Sequence, residues 1–155
     1  MDTPDSHHSN TPILQHSALS VAGLFALDGP VLDAASYGSG HIHDTFLVRC
    51  SSGARYVLQR INSRVFRNPL LVMAHIVRVT RHLQARLSAI PGADPAREAL
   101  RLVPAADRRS WLVDEAGAIW RMYDFIGGTR THEVCGTPEQ ALEAARVGAR
   151  FQRLL

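Results

Sequence analysis

Glycine, histidine and arginine recur through the stretch Tyr37 to Arg60, YGSGHIHDTFLVRCSSGARYVLQR, and phosphate is the ligand that such a set serves. Gly38, Ser39 and Gly40 would let backbone amides approach phosphate oxygens, because glycine permits the turn and removes a side-chain obstruction. A plain strand-connecting turn is the competing reading. A dinucleotide-binding fingerprint would need a third glycine where His43 stands and a following βαβ unit, and neither is there. His41 and His43 alternate by two, which sets both on one strand face if the strand starts early, and protonated imidazoles donate to phosphates. The pair lacks the further ligands that a metal needs. Asp44 braces the glycine turn or caps it. From Thr45 through Ala93 the chain carries eight arginines and no aspartate or glutamate, a field suited to an anionic partner.

Composition bounds what can surround these residues. At 155 residues and 46% hydrophobic content the chain can bury roughly 68 to 70% of its unfolded surface in one domain. All 17 basic residues are arginine, so no lysine chemistry is open to it, and forked, permanently charged donors meet whatever phosphate is bound. The formal charge is +3 and the pI about 9.4. Cys50 and Cys135 are too few for a disulfide framework and lack metal-ligand spacing, which points to a reducing compartment. The opening MDTPDSHHSNTP has no apolar run for a secretory signal, and Val21 to Leu27 is far short of the ~20 residues a membrane span needs. A cytoplasmic, soluble protein is expected. His7 and His8 read as part of a solvated tail.

The spacing of apolar and turn residues predicts the elements that position the candidates. Ile13 to Leu27 reads as a helix stopped by Asp28, Gly29 and Pro30. Val31 to Tyr37, Asp44 to Cys50 and Arg55 to Ile61 read as strands, the last two joined at Ser51, Ser52 and Gly53. Asn68 caps a long helix with Pro69 at its first position, ended by Pro91 and Gly92. Its buried face is Leu71, Ile76, Val79 and Leu83, while Arg78, Arg81 and His82 share another side. Arg101 to Pro104, Ser110 to Asp114 and Ala118 to Phe125 are further strands. Gly127 and Gly128 mark a hinge, and Thr137 to Leu155 a final helix with the stripe Ala144, Val147, Phe151 and Leu154. Trp120, Tyr123 and Phe125 offer core packing, and Arg121 alternates with them as a brace for the sheet.

Helix, three strands, long helix, two or three strands, linker and helix is an order that resembles the small lobe of a protein-kinase-like fold followed by the hinge and first helix of a larger lobe. The blocks GSGHIHDTFLV, YVLQRINSRVFRNP, VTRHL, LVP, WRMYDFI and GARFQRLL, in that order, resemble those of the aminoglycoside-phosphotransferase-like sugar kinases, most closely N-acetylhexosamine 1-kinases, from Tyr37 onward. The resemblance implies an α+β fold: an antiparallel sheet of about five strands plus one long helix. It divides the chain into a disordered polar tail (1–12), a kinase-like N-terminal lobe (13–126), and a hinge with the first helix of a C-terminal lobe (127–155).

The same resemblance implies ATP as cofactor with magnesium, and transfer of the terminal phosphoryl group to a sugar hydroxyl, the anomeric hydroxyl of an N-acetylhexosamine being favoured. Gly38, Ser39, Gly40 and His41 would cover the phosphates, and Asp124, Phe125 and Ile126 would line the adenine slot. Protein kinases set a lysine in the third strand and a glutamate in the long helix; here the strand ends Gln59, Arg60 and the helix has no acid. Strand alternation lets only one of the two face the cleft: charge favours Arg60, motif alignment favours Gln59. No HxD loop or following magnesium-binding aspartate occurs, so the chain reads as the amino-terminal portion of such an enzyme, with sugar binding and catalysis dependent on a C-terminal lobe. The alternative is a non-catalytic, arginine-rich module for nucleic acid or another polyanion, against which the arginines are not interleaved with aromatics.

Overall fold

One tight turn fixes the register of the central hairpin of the sheet. In the computed structural model of the protein, which describes residues 11–38, 42–130, 132 and 134–155, the chain reverses at Ser51, Ser52 and Gly53. Gly53 takes φ 88°, a conformation that a Cβ would strain. Ser52 Oγ donates to the Asp28 carbonyl and accepts from the Ala54 N–H at 3.2 Å. The strands so joined, β2 (Asp44–Cys50) and β3 (Arg55–Arg60), pair with Asp44 opposite Arg60 and Thr45 opposite Gln59. β1 (Val31–Ser36), β4 (Leu112–Val113) and β5 (Ile119–Asp124) complete a five-stranded antiparallel sheet of order β1-β2-β3-β5-β4. Among the described residues four helices accompany it: α1 (Thr11–Ala22), α2 (Pro69–Ser88), α3 (Pro95–Glu98) and α4 (Pro138–Leu154). The class is α+β with a five-stranded antiparallel sheet.

Alternation divides the sheet into two unlike faces. On one, Phe46, Val48, Leu58, Trp120 and Met122 meet Ala18, Val21 and Ala22 of α1 in the main core. On the other, Ile119 packs with Met73 of α2, Ile61 and the flanking Phe66, Ile76 and Trp111. This second cluster covers the β4 end of that face, and α2 is held at its start by Asn68, whose Oδ1 accepts from the Leu71 N–H at 3.1 Å. A third cluster joins Leu83 and Leu87 of α2 to Ala99, with Leu154 of α4 against it.

Several expected boundaries move, each for a local reason. α1 stops at Ala22 rather than Leu27, because Phe25 is drawn out to bridge Ala105 and the Ala26 N–H donates to the Pro104 carbonyl at 2.9 Å. Arg101 to Pro104 is not a full strand: it touches β5 through a single bridge, Leu102 to Tyr123, and Pro104 has no N–H to extend the ladder. α3 escapes a periodicity reading at four residues, yet Asp94 and Pro95 announce it, with Glu98 accepting from the Asp94 N–H at 2.9 Å. On α4 the apolar stripe is divided: Val147 is 66% and Phe151 43% exposed, while Leu154 packs against the third cluster. Among the described residues, no helix is long and apolar enough to cross a membrane.

Candidate functional site

Away from Ile119, the second face of the sheet is half-buried over β1 to β3 among the described residues, while Arg121 and Tyr123 of β5 are buried on it, and cross-strand pairing arranges its side chains in three rows. The polar row is Thr45, Gln59 and Arg121, with Tyr37 beside Thr45 through a 2.9 Å backbone hydrogen bond. Next to it runs an apolar row, Ala35, Leu47, Val57 and Tyr123, of which the first three are half-buried. The last row holds the Asp33–Arg49 ion pair and Arg55, whose guanidinium lies 4.4 Å from the centre of the Phe125 ring. Tyr37 closes the strip, its ring meeting Phe125 edge-on at 5.9 Å.

Arg121 is the unusual member. Only 8% of it is exposed, and among the described residues no carboxylate pairs with it. Its Nε and Nη2 both donate to Gln59 Oε1, at 3.1 and 2.9 Å, and its guanidinium sits 5.3 Å from the Tyr123 ring centre. Burial pulls its pKa down from the ordinary arginine value, with Tyr123 opposing. Nη1 finds no partner among the described residues. A charge taken out of water without a counter-ion is costly unless something else compensates it. Gln59 supplies part of that through its oxygen, and its Nε2 is anchored on Thr45 Oγ1 at 3.1 Å.

His43 stands beside this pair. Its Nδ1 accepts the Asn62 backbone N–H at 3.2 Å and its ring stacks on Phe66 at 5.2 Å, so the neutral ring carries its proton on Nε2. Burial lowers its pKa below 6.5, the nearby Arg121 charge lowers it further, and Asp44 partly opposes them. The unfolded chain therefore binds more protons here than the folded protein does as pH falls through 6.5, so stability present above that value is lost below it. His43→Gln is expected to flatten this loss between about pH 7.5 and pH 5.5, measured as the urea midpoint at each pH; an equally steep loss in the variant would assign the effect elsewhere.

The candidates read from the sequence fall on both sides of the sheet. Arg60 and Gln59 point to opposite faces, and it is Gln59 that shares the open one. Arg60 is held on the α1 side by Asp44, its Nε and Nη2 lying 2.8 and 2.7 Å from Asp44 Oδ2. That carboxylate was expected at the glycine turn; the hairpin register gives it to Arg60 instead. Gly38 takes φ 82° with open space where a Cβ would lie, and its neighbour Tyr37 touches Phe125. Ser39, Gly40 and His41 lie outside the described residues.

At the hinge side, the Asp124 carboxylate is turned to the core face, where it pairs with Arg101 and raises that arginine's pKa. Backbone groups divide similarly. The Asp124 N–H donates to the Arg101 carbonyl at 3.1 Å and the Phe125 N–H to the Arg55 carbonyl at 3.2 Å, whereas the Ile126 N–H meets no acceptor among the described residues. Ile126 is thus the open donor of this edge. Arg78 and Arg81 are exposed on α2, and His82 Nε2 lies 2.7 Å from the Leu154 carbonyl oxygen. Sequence reading missed the importance of Arg121. No model of a known protein family matches the sequence.

Proposed function

We propose that the open sheet face is the nucleotide-binding wall of an ATP-dependent phosphotransferase with a protein-kinase-like small lobe, acting on a sugar hydroxyl, the anomeric hydroxyl of an N-acetylhexosamine being favoured. The observation that carries this reading is the adjacency made by Tyr37 and Phe125: a positive-φ glycine turn and an edge with an open backbone donor flank one apolar strip. A purine needs an apolar bed and a hydrogen-bonding edge. Ala35, Leu47 and Val57 would form that bed, and the Ile126 N–H the edge. The phosphates would then lie toward Gly38 and the polar row.

Phosphoryl transfer also draws on magnesium and on an aspartate that orients the nucleophile. Among the described residues no three His, Cys, Asp or Glu side chains gather to hold a metal. What the present residues supply is binding and orientation of the nucleotide: Ile126 reads the base, Val57 and Leu47 exclude water from its face, and the polar row meets the phosphates.

Thermal denaturation with ATP and with adenosine tests the reading. Ligand at a hundredfold excess over its Kd stabilises by about 2.7 kcal/mol, which at this size is an upward shift of about 5 to 10 °C. ATP is expected to give such a shift and adenosine a smaller one. No shift with either at millimolar concentration would remove the proposal. One observation favours the polyanion alternative: Arg64, Arg67, Arg78, Arg81 and Arg86 are exposed without a carboxylate partner among the described residues. Binding of a homopolymeric RNA that falls steeply with salt, undiminished by ATP, would mark that alternative.

A further inference from the structure

We propose that the Arg121 guanidinium is the cation that contacts the phosphates on this face, with Gln59 as its positioning residue. The inference deepens the nucleotide reading and rests on it for the ligand, a nucleoside triphosphate. Ordinary protein kinases place a lysine in the third strand, where Gln59 stands, and hold it with a carboxylate. Here the polarity is reversed. β3 provides a neutral acceptor, Gln59 Oε1, and β5 provides the charge.

The geometry favours Arg121 over the other arginines of the sheet. Arg49 is paired with Asp33 and Arg60 with Asp44, while Arg55 is exposed over the Phe125 ring. Arg121 alone among the described sheet arginines is buried and has no carboxylate. Hydrogen bonds to a neutral oxygen orient a guanidinium without cancelling its charge. That charge, shielded from water, acts more strongly on an incoming anion than a solvated arginine does.

The orientation is set by two contacts. The Gln59 amide is fixed by its Nε2 donating to Thr45 Oγ1 at 3.1 Å, which turns Oε1 to Arg121. Both Nε and Nη2 are then occupied, so Nη1 is the donor left for a ligand. His43 adds a second one: with Nδ1 taken by Asn62, its Nε2–H, on the same side of the sheet, meets no acceptor among the described residues.

Calorimetric titration of the wild-type chain and of Arg121→Met with inorganic tripolyphosphate, ATP and adenosine tests the assignment, with Arg81→Met as the control for general charge. Arg121→Met is expected to weaken tripolyphosphate and ATP about tenfold or more, the worth of a hydrogen bond to a charged group. Adenosine binding and the Arg81→Met variant should change little. If Arg121→Met fails to fold, Gln59→Glu supplies the same test, because a carboxylate in that place neutralises the guanidinium and should cause the same loss. Tripolyphosphate that binds wild type and variant equally, or does not bind wild type, overturns the assignment. The two readings separate cleanly. If ATP binds wild type and Arg121→Met equally, the nucleotide wall stands and the assignment fails; if tripolyphosphate depends on Arg121 while ATP and adenosine add nothing, the assignment stands and the nucleotide wall fails.

Discussion

Gln59→Glu is expected to raise the stability of the protein and, in the same molecule, to weaken ATP binding by about tenfold to a hundredfold. Both effects follow from one change of charge. Arg121 donates twice to the Gln59 oxygen, and exchanging the amide for a carboxylate converts these into charge-assisted bonds, roughly twice as strong as neutral ones. The Thr45 hydroxyl, which now accepts from the amide, can rotate and donate instead. Against this gain stands the desolvation of a carboxylate at a half-buried site. A net increase of about 1 kcal/mol, or about 2 to 4 °C in melting temperature, is expected at neutral pH. The sign of its pH dependence follows from Arg121. The neighbouring cation depresses the folded-state pKa of the new carboxylate, so the gain is present above the ordinary glutamate value and disappears as pH falls through the depressed one. A variant that is less stable and still binds ATP would show that Arg121 is compensated by something other than Gln59.

Trp120→Ala should have the largest effect on the fold. Trp120 is fully buried, lies at the crossing of β3, β4 and β5, and packs on Phe46 with ring centres 6.1 Å apart. Its Nε1 donates to Asp114 Oδ2 at 2.7 Å, and Asp114 Oδ1 in turn accepts from the Ala116 and Ala118 N–H groups at 3.0 and 2.8 Å. The indole therefore ties the β4–β5 turn to the main core. Truncating a buried tryptophan to alanine costs about 3 to 5 kcal/mol, a large share of the roughly 5 to 15 kcal/mol that holds a domain together. The melting temperature should fall by about 6 to 20 °C. Trp120→Phe keeps most of the volume and loses the Asp114 bond, so it should cost about 1 to 2 kcal/mol. Equal costs for the two variants would mean that the hydrogen bond, not the ring volume, holds this corner.

The parts of the site that could be read from sequence are those governed by local rules. Gly53 and its two serines locate the hairpin turn, and Asn68 with Pro69 locates the start of α2, because turn and cap chemistry act over a few residues. The same turn held more than was taken from it. Counting outward from Ser52 sets Asp44 against Arg60 and Thr45 against Gln59, the register observed, and an aspartate facing an arginine across two strands is a pair. On that count Arg60 is committed to Asp44 and Gln59 to the other face. Arg121 was beyond such reasoning. Its partner is separated by 62 residues, and an arginine alternating with aromatics reads locally as an outward brace. Only the β3–β5 pairing shows that its side chain is buried against a neutral acceptor. The bridge at Leu102 was overestimated as a strand for the converse reason: Arg101 to Pro104 has the apolar composition of a strand, but Pro104 cannot continue the ladder.

The backbone donor at Ile126 and the guanidinium of Arg121 flank the Tyr123 end of one apolar row from opposite sides, and a nucleotide bound there must reach both. Nitrogen-15 NMR of the labelled protein, titrated with ATP, reports each directly through the Ile126 amide and the Arg121 Nε–H. Both resonances are expected to move together along a single binding curve, with Gly38 following. Saturating ATP that leaves Ile126 and Arg121 unmoved, or that shifts only the exposed arginines of α2, would contradict a nucleotide site on this face.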